Sequence, residues 1–154
     1  MFRIAKEEDT KLILEFIYKL AEHEGRTDMV FATEETLRKW IFDKQVGNVI
    51  FLMKDGKEIG MAIYYFTFST FKSRPSLYIE DLFVDSEYRG GGYGKKIINH
   101  LAKISLENDC RNMKWTCLKS NESSIKFYDN LNAEYDKINL NYSLGEEELN
   151  NLVS

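Results

Sequence analysis

The stretch that decides the fold reads LYIEDLFV (residues 77–84), then DSEYRGGGYG (85–94), then KKIINHL (95–101). The first block has the apolar character of a buried strand and carries two adjacent carboxylates. The last block repeats apolar residues at the spacing of an amphipathic helix. The glycines between them allow close approach of the backbone to a ligand, and the first N–H groups of the following helix have no partner within it. These donors, together with the positive end of the helix dipole, predict an anion site suited to phosphate.

The spacing of the glycines excludes two common phosphate-binding motifs. A Walker loop reads G-x-x-x-x-G-K-[ST], but Gly90 and Gly94 are too close together and Lys95 is followed by a second lysine. The dinucleotide fingerprint G-x-G-x-x-G also fails, because Gly90, Gly92 and Gly94 read G-x-G-x-G. The pattern that fits is R-x-x-G-x-G, which starts at Arg89.

This pattern resembles the coenzyme A signature of the GNAT acyltransferase superfamily, and further blocks are similar to its diamine (spermidine/spermine) N-acetyltransferase branch. The blocks read MAIYYFT (61–67), LYIEDLFV (77–84), YRG (88–90) and NESSIKFY (121–128). The resemblance implies an α/β GNAT (acyl-CoA N-acyltransferase) fold, with a mixed central sheet and helices on both faces. It also implies acetyl-CoA as co-substrate, a small-molecule amine as acceptor, and a homodimer.

Length and composition bound the class of protein. With 154 residues, 44% of them hydrophobic and 30% charged, the chain is expected to form a single domain over 1–154 with its own core. There is no run of about 18 apolar residues that would span a membrane. The first residues lack the apolar region of a signal peptide, and two cysteines make no disulfide framework, so we expect a cytoplasmic protein. A net charge of −4 argues against a nucleic-acid partner and favours a cationic substrate.

Periodicity along the chain predicts the element order βααβββαβαβ. Strands are expected at 2–5, 47–53, 59–68, 77–84 and 113–118, with one or two weaker strands within 133–144. Helices are expected after the caps Asp9, Thr33 and Asn121, after the glycines as far as 108–109, and as a short helix or solvated tail at 145–149. The pair at 55–56 predicts a hairpin turn and 69–76 a polar loop. The strand at 59–68 is apolar on both faces and is therefore predicted to be central and covered on both sides.

Glu80 is the candidate general base. An alkylamine is almost fully protonated at pH 7, and removing its proton costs about 4.6 kcal/mol. A positioned carboxylate recovers part of that cost if apolar neighbours such as Ile79 and Leu82 raise its pKa. Asp81 should point to the opposite face unless a bulge intervenes, and either acid could instead be a solvated or ion-paired strand residue. The resemblance assigns the base to the first acid of the pair, Glu80.

Tyr128 is the candidate proton donor for the departing thiolate. It lies seven residues after Asn121 and shares a helix face with Asn121 and Ser124. A phenol with a pKa of about 10 is protonated at pH 7 and can donate its proton. A core tyrosine with an ordinary hydrogen bond is the alternative. The resemblance, in which the last tyrosine of NESSIKFY is the general acid, favours the catalytic role.

The coenzyme is expected to bind along the central block. The resemblance implies a sheet that splays at Leu82, Phe83 and Val84, where the free strand edge pairs with the pantetheine amides. Asn121, Ser124 and Tyr128 are further expected contacts, although Asn121 could equally be a plain helix cap. The pyrophosphate is assigned to the loop residues Arg89, Gly90, Gly91, Gly92, Tyr93, Gly94 and Lys95. A tight turn without a ligand is the alternative for the glycines.

Four residues are the candidate contacts for the amine substrate. His23 and Glu24 match an aromatic–acid pair that holds the polyamine in the diamine branch, although a solvated helix end would read the same way. Glu80 and Asp81 supply the other negative charges.

The amine pocket departs from the diamine branch in two places. Ser69 and Phe71 stand where the polyamine enzymes carry an Asp and a Trp, and the later acidic segment is reduced to Glu134 and Asp136. Each charged hydrogen bond lost is worth about 1.5–3 kcal/mol, so affinity for a long polycation should fall. A shorter amine, or an amino acid with a side-chain amine, becomes the expected substrate.

No metal site is predicted, because His100 has no second ligand at a suitable spacing. Two other functions remain open from the sequence. A protein or peptide N-acetyltransferase would use the same residues with an open groove, which a shortened loop at 69–76 would favour. A non-catalytic sensor of acyl-CoA would not need Glu80 and Tyr128, and both are present.

Overall fold

A five-stranded sheet with the order β1-β2-β3-β4-β5 organises the computed structural model, which describes all residues 1–154. The strands are β1 (Phe2–Ile4), β2 (Asn48–Lys54), β3 (Lys57–Ser69), β4 (Arg74–Val84) and β5 (Met113–Lys114). Strands β1 to β4 run antiparallel to their neighbours, and β5 pairs with β4 in parallel. The predicted α/β fold with a mixed sheet is confirmed, and β3 is central as expected.

The helices divide between two compact units, Met1–Thr116 and Cys117–Ser154. The first unit contains α1 (Thr10–His23), α2 (Glu34–Leu37) and α3 (Tyr93–Glu107), and α2 continues into a π-helical segment over Arg38–Asp43. It also contains three short 3₁₀ turns, at Glu7–Asp9, Thr27–Met29 and Ser86–Tyr88. The second unit contains α4 (Glu122–Asp129) and α5 (Glu146–Val153). None of these helices has the length and apolar character that crossing a membrane requires.

Different helices cover the two faces of the sheet in the first unit. On one face, Phe51 and Met61 are buried in one cluster with Phe16 of α1 and Leu37 of α2. The rings of Phe16 and Phe51 lie 5.8 Å apart, and burial of each such side chain stabilises the fold by about 1.5–3 kcal/mol. On the other face, Ile97 of α3 packs against Gly60 of β3.

The hairpin between β2 and β3 forms as predicted, but β3 is covered on both faces only over its first half. Asp55 and Gly56 have φ angles of 49° and 76°, as a type I′ turn requires. Pairing of β2 with β3 ends at Tyr64, so the rest of β3 pairs only with β4, and we call this part of the two strands the β3–β4 ribbon. Phe66 and Phe68 on this ribbon are exposed.

Asp9 occupies the N-cap position of α1, as predicted, but its side chain makes no hydrogen bond to the first turn of that helix. A 3₁₀ turn at Glu7–Asp9 precedes α1, and the Asp9 carboxylate accepts the Lys6 backbone N–H at 2.7 Å. It also forms an ion pair with Arg3 at 2.7 Å. The side chain therefore serves the turn before the helix. The other two predicted caps, Thr33 and Asn121, are confirmed by side-chain hydrogen bonds to backbone N–H groups.

Three predicted segments differ from the structure. The polar loop predicted at 69–76 shrinks to 70–73, because β4 already begins at Arg74. The strand predicted at 113–118 is limited to the two residues that pair with β4. The segment 133–144 contains no strand. Within it, the Asp136 carboxylate accepts the backbone N–H groups of Ile138 and Asn139, a local turn that competes with extended structure.

Gly60 is expected to be essential for the packing of α3 on the sheet. A Cβ at this position would lie 2.9 Å from the Phe83 carbonyl oxygen and 3.3 Å from Ile97 Cδ1. We expect Gly60→Ala to lower the free energy of unfolding by about 1–3 kcal/mol in urea denaturation, because neither neighbour can move without cost. Gly47→Ala is the control, since its nearest neighbour would lie at 3.8 Å. Equal stability of the two variants would contradict the tight packing at Gly60.

Candidate functional site

A bulge in β4 sets the arrangement of the two carboxylates. Ile63 of β3 pairs with Asp81, whereas the next residue, Tyr64, pairs with Ile79, so Glu80 is the extra residue. A bulge interrupts the alternation of side chains along a strand. The two acids are therefore not forced onto opposite faces of the sheet. The sequence analysis allowed for such a bulge, and the structure contains it.

Asp81 is the more buried of the two acids. Burial, first, and the negative charges of Glu80 and Glu24 raise the pKa of Asp81 to about 6. Desolvation disfavours the ionised form, and like charges add to that effect. A carboxyl with a pKa near neutral is suited to accept and release a proton, which is the property expected of a general base.

Glu80 is exposed, which corrects the expectation that apolar neighbours would bury it. Its Oε2 accepts the Tyr65 hydroxyl at 3.3 Å, and the Tyr65 ring stacks on Tyr78 with centroids 5.1 Å apart. Burial and the Glu80 charge raise the pKa of Tyr65, so its phenol stays protonated and donates. Sequence reasoning missed Tyr65, because its place beside Glu80 depends on the register of β3 with β4, which pairs Tyr65 with Tyr78.

The end of α1 brings His23 and Glu24 to the same side of the first unit. Glu24 is the C-cap residue of α1 and is one of the charges that raise the pKa of Asp81. His23 Nδ1 lies 3.2 Å from Nη1 of Arg89, which belongs to the R-x-x-G-x-G pattern. The structure thus brings Glu24 to the acid pair of β4, as predicted, but His23 contacts the loop assigned to the coenzyme.

The glycine loop ends at a helix start without a side-chain cap. Gly90 and Gly92 have φ angles of 79° and 76°, a left-handed conformation that favours glycine. Gly92 is the N-cap of α3, and no side chain accepts its first N–H groups. The backbone of this turn therefore offers the donors that a pyrophosphate requires. The residues present fit the role that the sequence assigned to them.

The edge of β4 next to the acid pair is open in the first unit. β5 pairs with β4 only at Leu77 and Tyr78. From Ile79 to Val84, no strand covers this edge, which is the splay that the resemblance implied. An extended pantetheine could add to such an edge through its amides.

The second unit presents Asn121, Ser124 and Tyr128 on one short helix. The Asn121 Oδ1 accepts the Ser124 backbone N–H at 3.2 Å and the Ser123 hydroxyl at 3.2 Å. Tyr128 lies in the last turn of α4, half-buried, with its ring 5.3 Å from that of Phe127. The helix and its cap are confirmed, while the roles of these residues stay predictions.

A cavity of about 670 Å³ lies between α1 and the end of β4 in the first unit. Its lining includes Lys19, His23, Phe83, Asp85 and Arg89. Asp85 is buried and is paired with Lys19 Nζ at 2.7 Å. Sequence reasoning missed this pair, because its two residues are 66 positions apart in the chain and no local pattern joins them.

No group of three or more His, Cys, Asp or Glu side chains is arranged to hold a metal ion. The imidazole of His100 instead stacks on Phe2 of β1, with ring centroids 4.0 Å apart. Burial and the charge of Lys103 lower the pKa of His100.

Comparison with known proteins decides the family. The model of the acetyltransferase (GNAT) family matches residues 12–132, which include the acid pair, the glycine loop and α4. The chain belongs to the GNAT acetyltransferase family. This GNAT protein is accordingly an acetyl-CoA-dependent N-acetyltransferase, and the resemblance seen in the sequence is confirmed.

Relatives and solved structures agree with this assignment. The GNAT protein is 35% identical over 143 residues to a thialysine N-epsilon-acetyltransferase of Bos taurus, covering 87% of this chain and 84% of the relative. It is 27% identical over 139 residues to a human spermidine/spermine N(1)-acetyltransferase-like protein 1, covering 85% of this chain and 20% of that protein. An integron cassette protein of V. cholerae has a similar structure, with a TM-score of 0.81, 26% identity, and coverage of 99% of this chain and 96% of that one.

The raised pKa of Asp81 should make the GNAT protein less stable as pH rises from about 4 to 6, because the folded state holds a proton that the unfolded state releases. We therefore expect Asp81→Asn to raise the free energy of unfolding at pH 8 by about 1–3 kcal/mol and to change it little at pH 4. Urea denaturation at both pH values measures the difference. Asp28→Asn, at an exposed acid in the same unit, is the control. If Asp81→Asn were less stable than wild type at pH 8, ionised Asp81 would not destabilise the folded state.

Proposed function

We propose that this protein transfers the acetyl group of acetyl-CoA to the primary amine of a small molecule by direct attack, without an acyl-enzyme. The observation that carries the proposal is the half-buried carboxyl of Asp81, with its pKa of about 6, beside an open strand edge and a glycine loop. The name of the thialysine N-epsilon-acetyltransferase relative supports a side-chain amine as acceptor. The closely spaced acids Glu24, Glu80 and Asp81 support a cationic acceptor.

Asp81 is the proposed general base, in place of Glu80. A base must be ionised at the working pH and yet hold a proton well enough to take it from an ammonium or amine, which favours a pKa near neutral. Asp81 has that environment, whereas Glu80 is exposed and hydrogen-bonded to Tyr65. The negative charge of Glu80 then raises the pKa of Asp81 and attracts the protonated amine substrate.

The coenzyme supplies the acetyl thioester when it is bound. The open edge at Leu82, Phe83 and Val84 would hold its extended arm, and the glycine loop from Gly90 to Lys95 would hold its phosphates. In the second unit, Asn121 and Ser124 are proposed as further contacts. These assignments use residues that the sequence pattern and the backbone geometry both single out.

Tyr128 is proposed as the proton donor to the departing thiolate. The proposal rests on the match of its helix to NESSIKFY and on the protonated state of an ordinary phenol at neutral pH. It also requires that residues 1–154 act as a single domain, which we propose although the contacts divide into two units.

A short amine or an amine-bearing amino acid is the proposed substrate, in preference to a long polyamine. Ser69 ends β3 opposite Arg74, and Phe71 is 99% exposed, so neither position offers a negative charge. A peptide remains the second candidate, because the loop between β3 and β4 has shrunk to residues 70–73, which leaves room for an open groove. Kinetics with a lysine-containing peptide distinguish the two.

A homodimer in a reducing, cytoplasmic compartment is the proposed assembly, with no metal involved. Exposed Phe66 and Phe68 on β3 and Phe71 in the following loop offer an apolar surface, and Cys110 is a free thiol. Light scattering of the purified protein tests the dimer.

The pH profile of turnover should reveal the base. With thialysine as acceptor, we expect kcat/KM to fall on the acid side with an apparent pKa of about 6, because protonated Asp81 cannot accept a proton. Asp81→Asn should lower kcat/KM by about 10²–10⁴-fold. Glu80→Gln should retain most activity and shift the acid limb to lower pH, because one of the charges that raise the pKa of Asp81 is lost. Release of the coenzyme thiol measures each rate.

Opposite behaviour of the two variants would return the role of base to Glu80. If Glu80→Gln collapses while Asp81→Asn keeps its activity and its acid limb, Asp81 is a structural acid. The thermal unfolding of both variants is compared with that of the wild type. A loss of activity without a loss of stability is then a catalytic effect.

Tyr128→Phe tests the proton donor. Loss of the hydroxyl should lower kcat by about 10²-fold or more, with a smaller change in KM for the amine, if the phenol protonates the leaving group. Tyr142→Phe, at an exposed tyrosine of the same unit, is the control. An unchanged kcat in Tyr128→Phe would make this tyrosine a packing residue.

A further inference from the structure

Two contacts fix Tyr65 beside the acid pair. Its hydroxyl donates to Glu80 Oε2 at 3.3 Å, and its ring stacks on that of Tyr78, with centroids 5.1 Å apart and planes inclined by 28°. The stack limits rotation of the ring and so gives the hydroxyl a defined position. Tyr65 belongs to β3, which pairs with one edge of β4, whereas the coenzyme is assigned to the other edge. Tyr65 is therefore separate from the coenzyme site.

The register of β3 with β4 explains the place of Tyr65. It pairs with Tyr78, and Glu80 lies two residues further along β4, on the same face as Tyr78. An aromatic side chain reaches such a diagonal neighbour. Two residues before Tyr65, Ile63 pairs with Asp81 and lies in the core cluster under α1. Tyr65 and Asp81 therefore share the face of the sheet that α1 covers.

Glu80 is the link between Tyr65 and Asp81. Burial, first, and then the negative charges of Glu80 and Glu24 disfavour the ionised form of Asp81. Glu24, at the end of α1, has Arg26 Nη1 at 3.8 Å from its Oε2. Glu80 is exposed and forms no ion pair, so the Tyr65 hydroxyl is what holds its side chain. Without that hydrogen bond, an exposed carboxylate exchanges between rotamers.

We propose that Tyr65 is a positioning residue of the acetyl transfer: its hydroxyl holds the Glu80 carboxylate beside Asp81, and the stack on Tyr78 fixes that hydroxyl. The inference rests on the proposed function, because it concerns the surroundings of the proposed base. Tyr65 neither takes nor gives the transferred proton. Because it acts through the charge of Glu80, its hydroxyl should matter only while that charge is present.

Two other roles for Tyr65 predict different results. A phenol in contact with the reacting atoms would change kcat or KM at every pH, because an interaction with the substrate is lost. A packing residue would change stability and leave the titration of Asp81 as it is in the wild type. Burial, first, and the charge of Glu80 raise the pKa of Tyr65. The phenol therefore stays protonated at acidic and neutral pH and contributes no titration of its own.

The titration of Asp81 is the direct measurement. NMR follows its carboxyl carbon in protein labelled with 13C at the aspartate carboxyl group, and Asp81→Asn assigns the signal by removing it. Tyr65→Phe removes the hydroxyl and keeps the ring. We expect the midpoint of about 6 to fall by about 0.3–1 pH unit, because the released Glu80 carboxylate moves away from Asp81. Tyr78→Phe keeps the stack and the Tyr65 hydroxyl, so this control should titrate as the wild type does.

A double variant tests whether Tyr65 acts through Glu80. Glu80→Gln removes the charge, so the addition of Tyr65→Phe should not move the midpoint of Asp81 any further. In kinetics with thialysine, Tyr65→Phe should move the acid limb of kcat/KM to lower pH. Above that limb, kcat/KM should change by less than about 10-fold, because the loss of a direct proton transfer costs about 10²–10⁴-fold.

An Asp81 midpoint that Tyr65→Phe leaves unchanged, or that Tyr78→Phe shifts equally, overturns the proposal, because the hydrogen bond then does not hold Glu80. A further shift in the double variant overturns it as well, since Tyr65 would act on Asp81 without Glu80. A fall in kcat of about 10²-fold or more above the acid limb would make Tyr65 a catalytic residue. The NMR titration needs no acceptor. Absence of turnover with every amine would therefore refute the proposed function and leave the test of Tyr65 valid.

Discussion

The single extra residue in β4 is the constraint on which the candidate site depends. Without the bulge at Glu80, strict alternation would place Asp81 and Glu80 on opposite faces, and only one of them could act on a substrate beside α1. The shifted register instead keeps the acid pair together beside Glu24. It also retains Phe83 in the apolar cluster under α1, so the core is not disturbed by two polar neighbours. The bulge thus allows β4 to contribute Phe83 to the core and the acid pair to the candidate site.

The same strand gives the site its second feature, an open edge. β4 is paired with β3 along its whole length but with β5 for only two residues. Past Tyr78 the edge carries unpaired backbone groups, which are normally a liability in a sheet. Here they lead directly to the turn at Gly90 and Gly92 and to the uncapped start of α3. Unpaired donors at both places are costly in an empty protein and useful to an extended ligand that ends in phosphates.

Sequence reasoning correctly predicted features whose backbone geometry is set by a few neighbouring residues. The turn at 55–56, the cap at Asn121 and the glycines before α3 are such cases, because their backbone geometry is local. It failed where the outcome depends on pairing between distant strands. Nothing in the order Glu80–Asp81 reveals a bulge whose register is set by β3, so the burial was assigned to the wrong acid. The alternating pattern at 133–144 likewise predicts a strand only if a partner strand accepts it.

Negative charge is concentrated where β4 lies close to the end of α1. Burial and the charges of Glu80 and Glu24 raise the pKa of Asp81, so a cation held among these acids would relieve their mutual repulsion. Ser69 and Phe71, which stand where the diamine branch carries an Asp and a Trp, add no charge to this cluster, so an outer acidic contact that a longer polycation would need is absent.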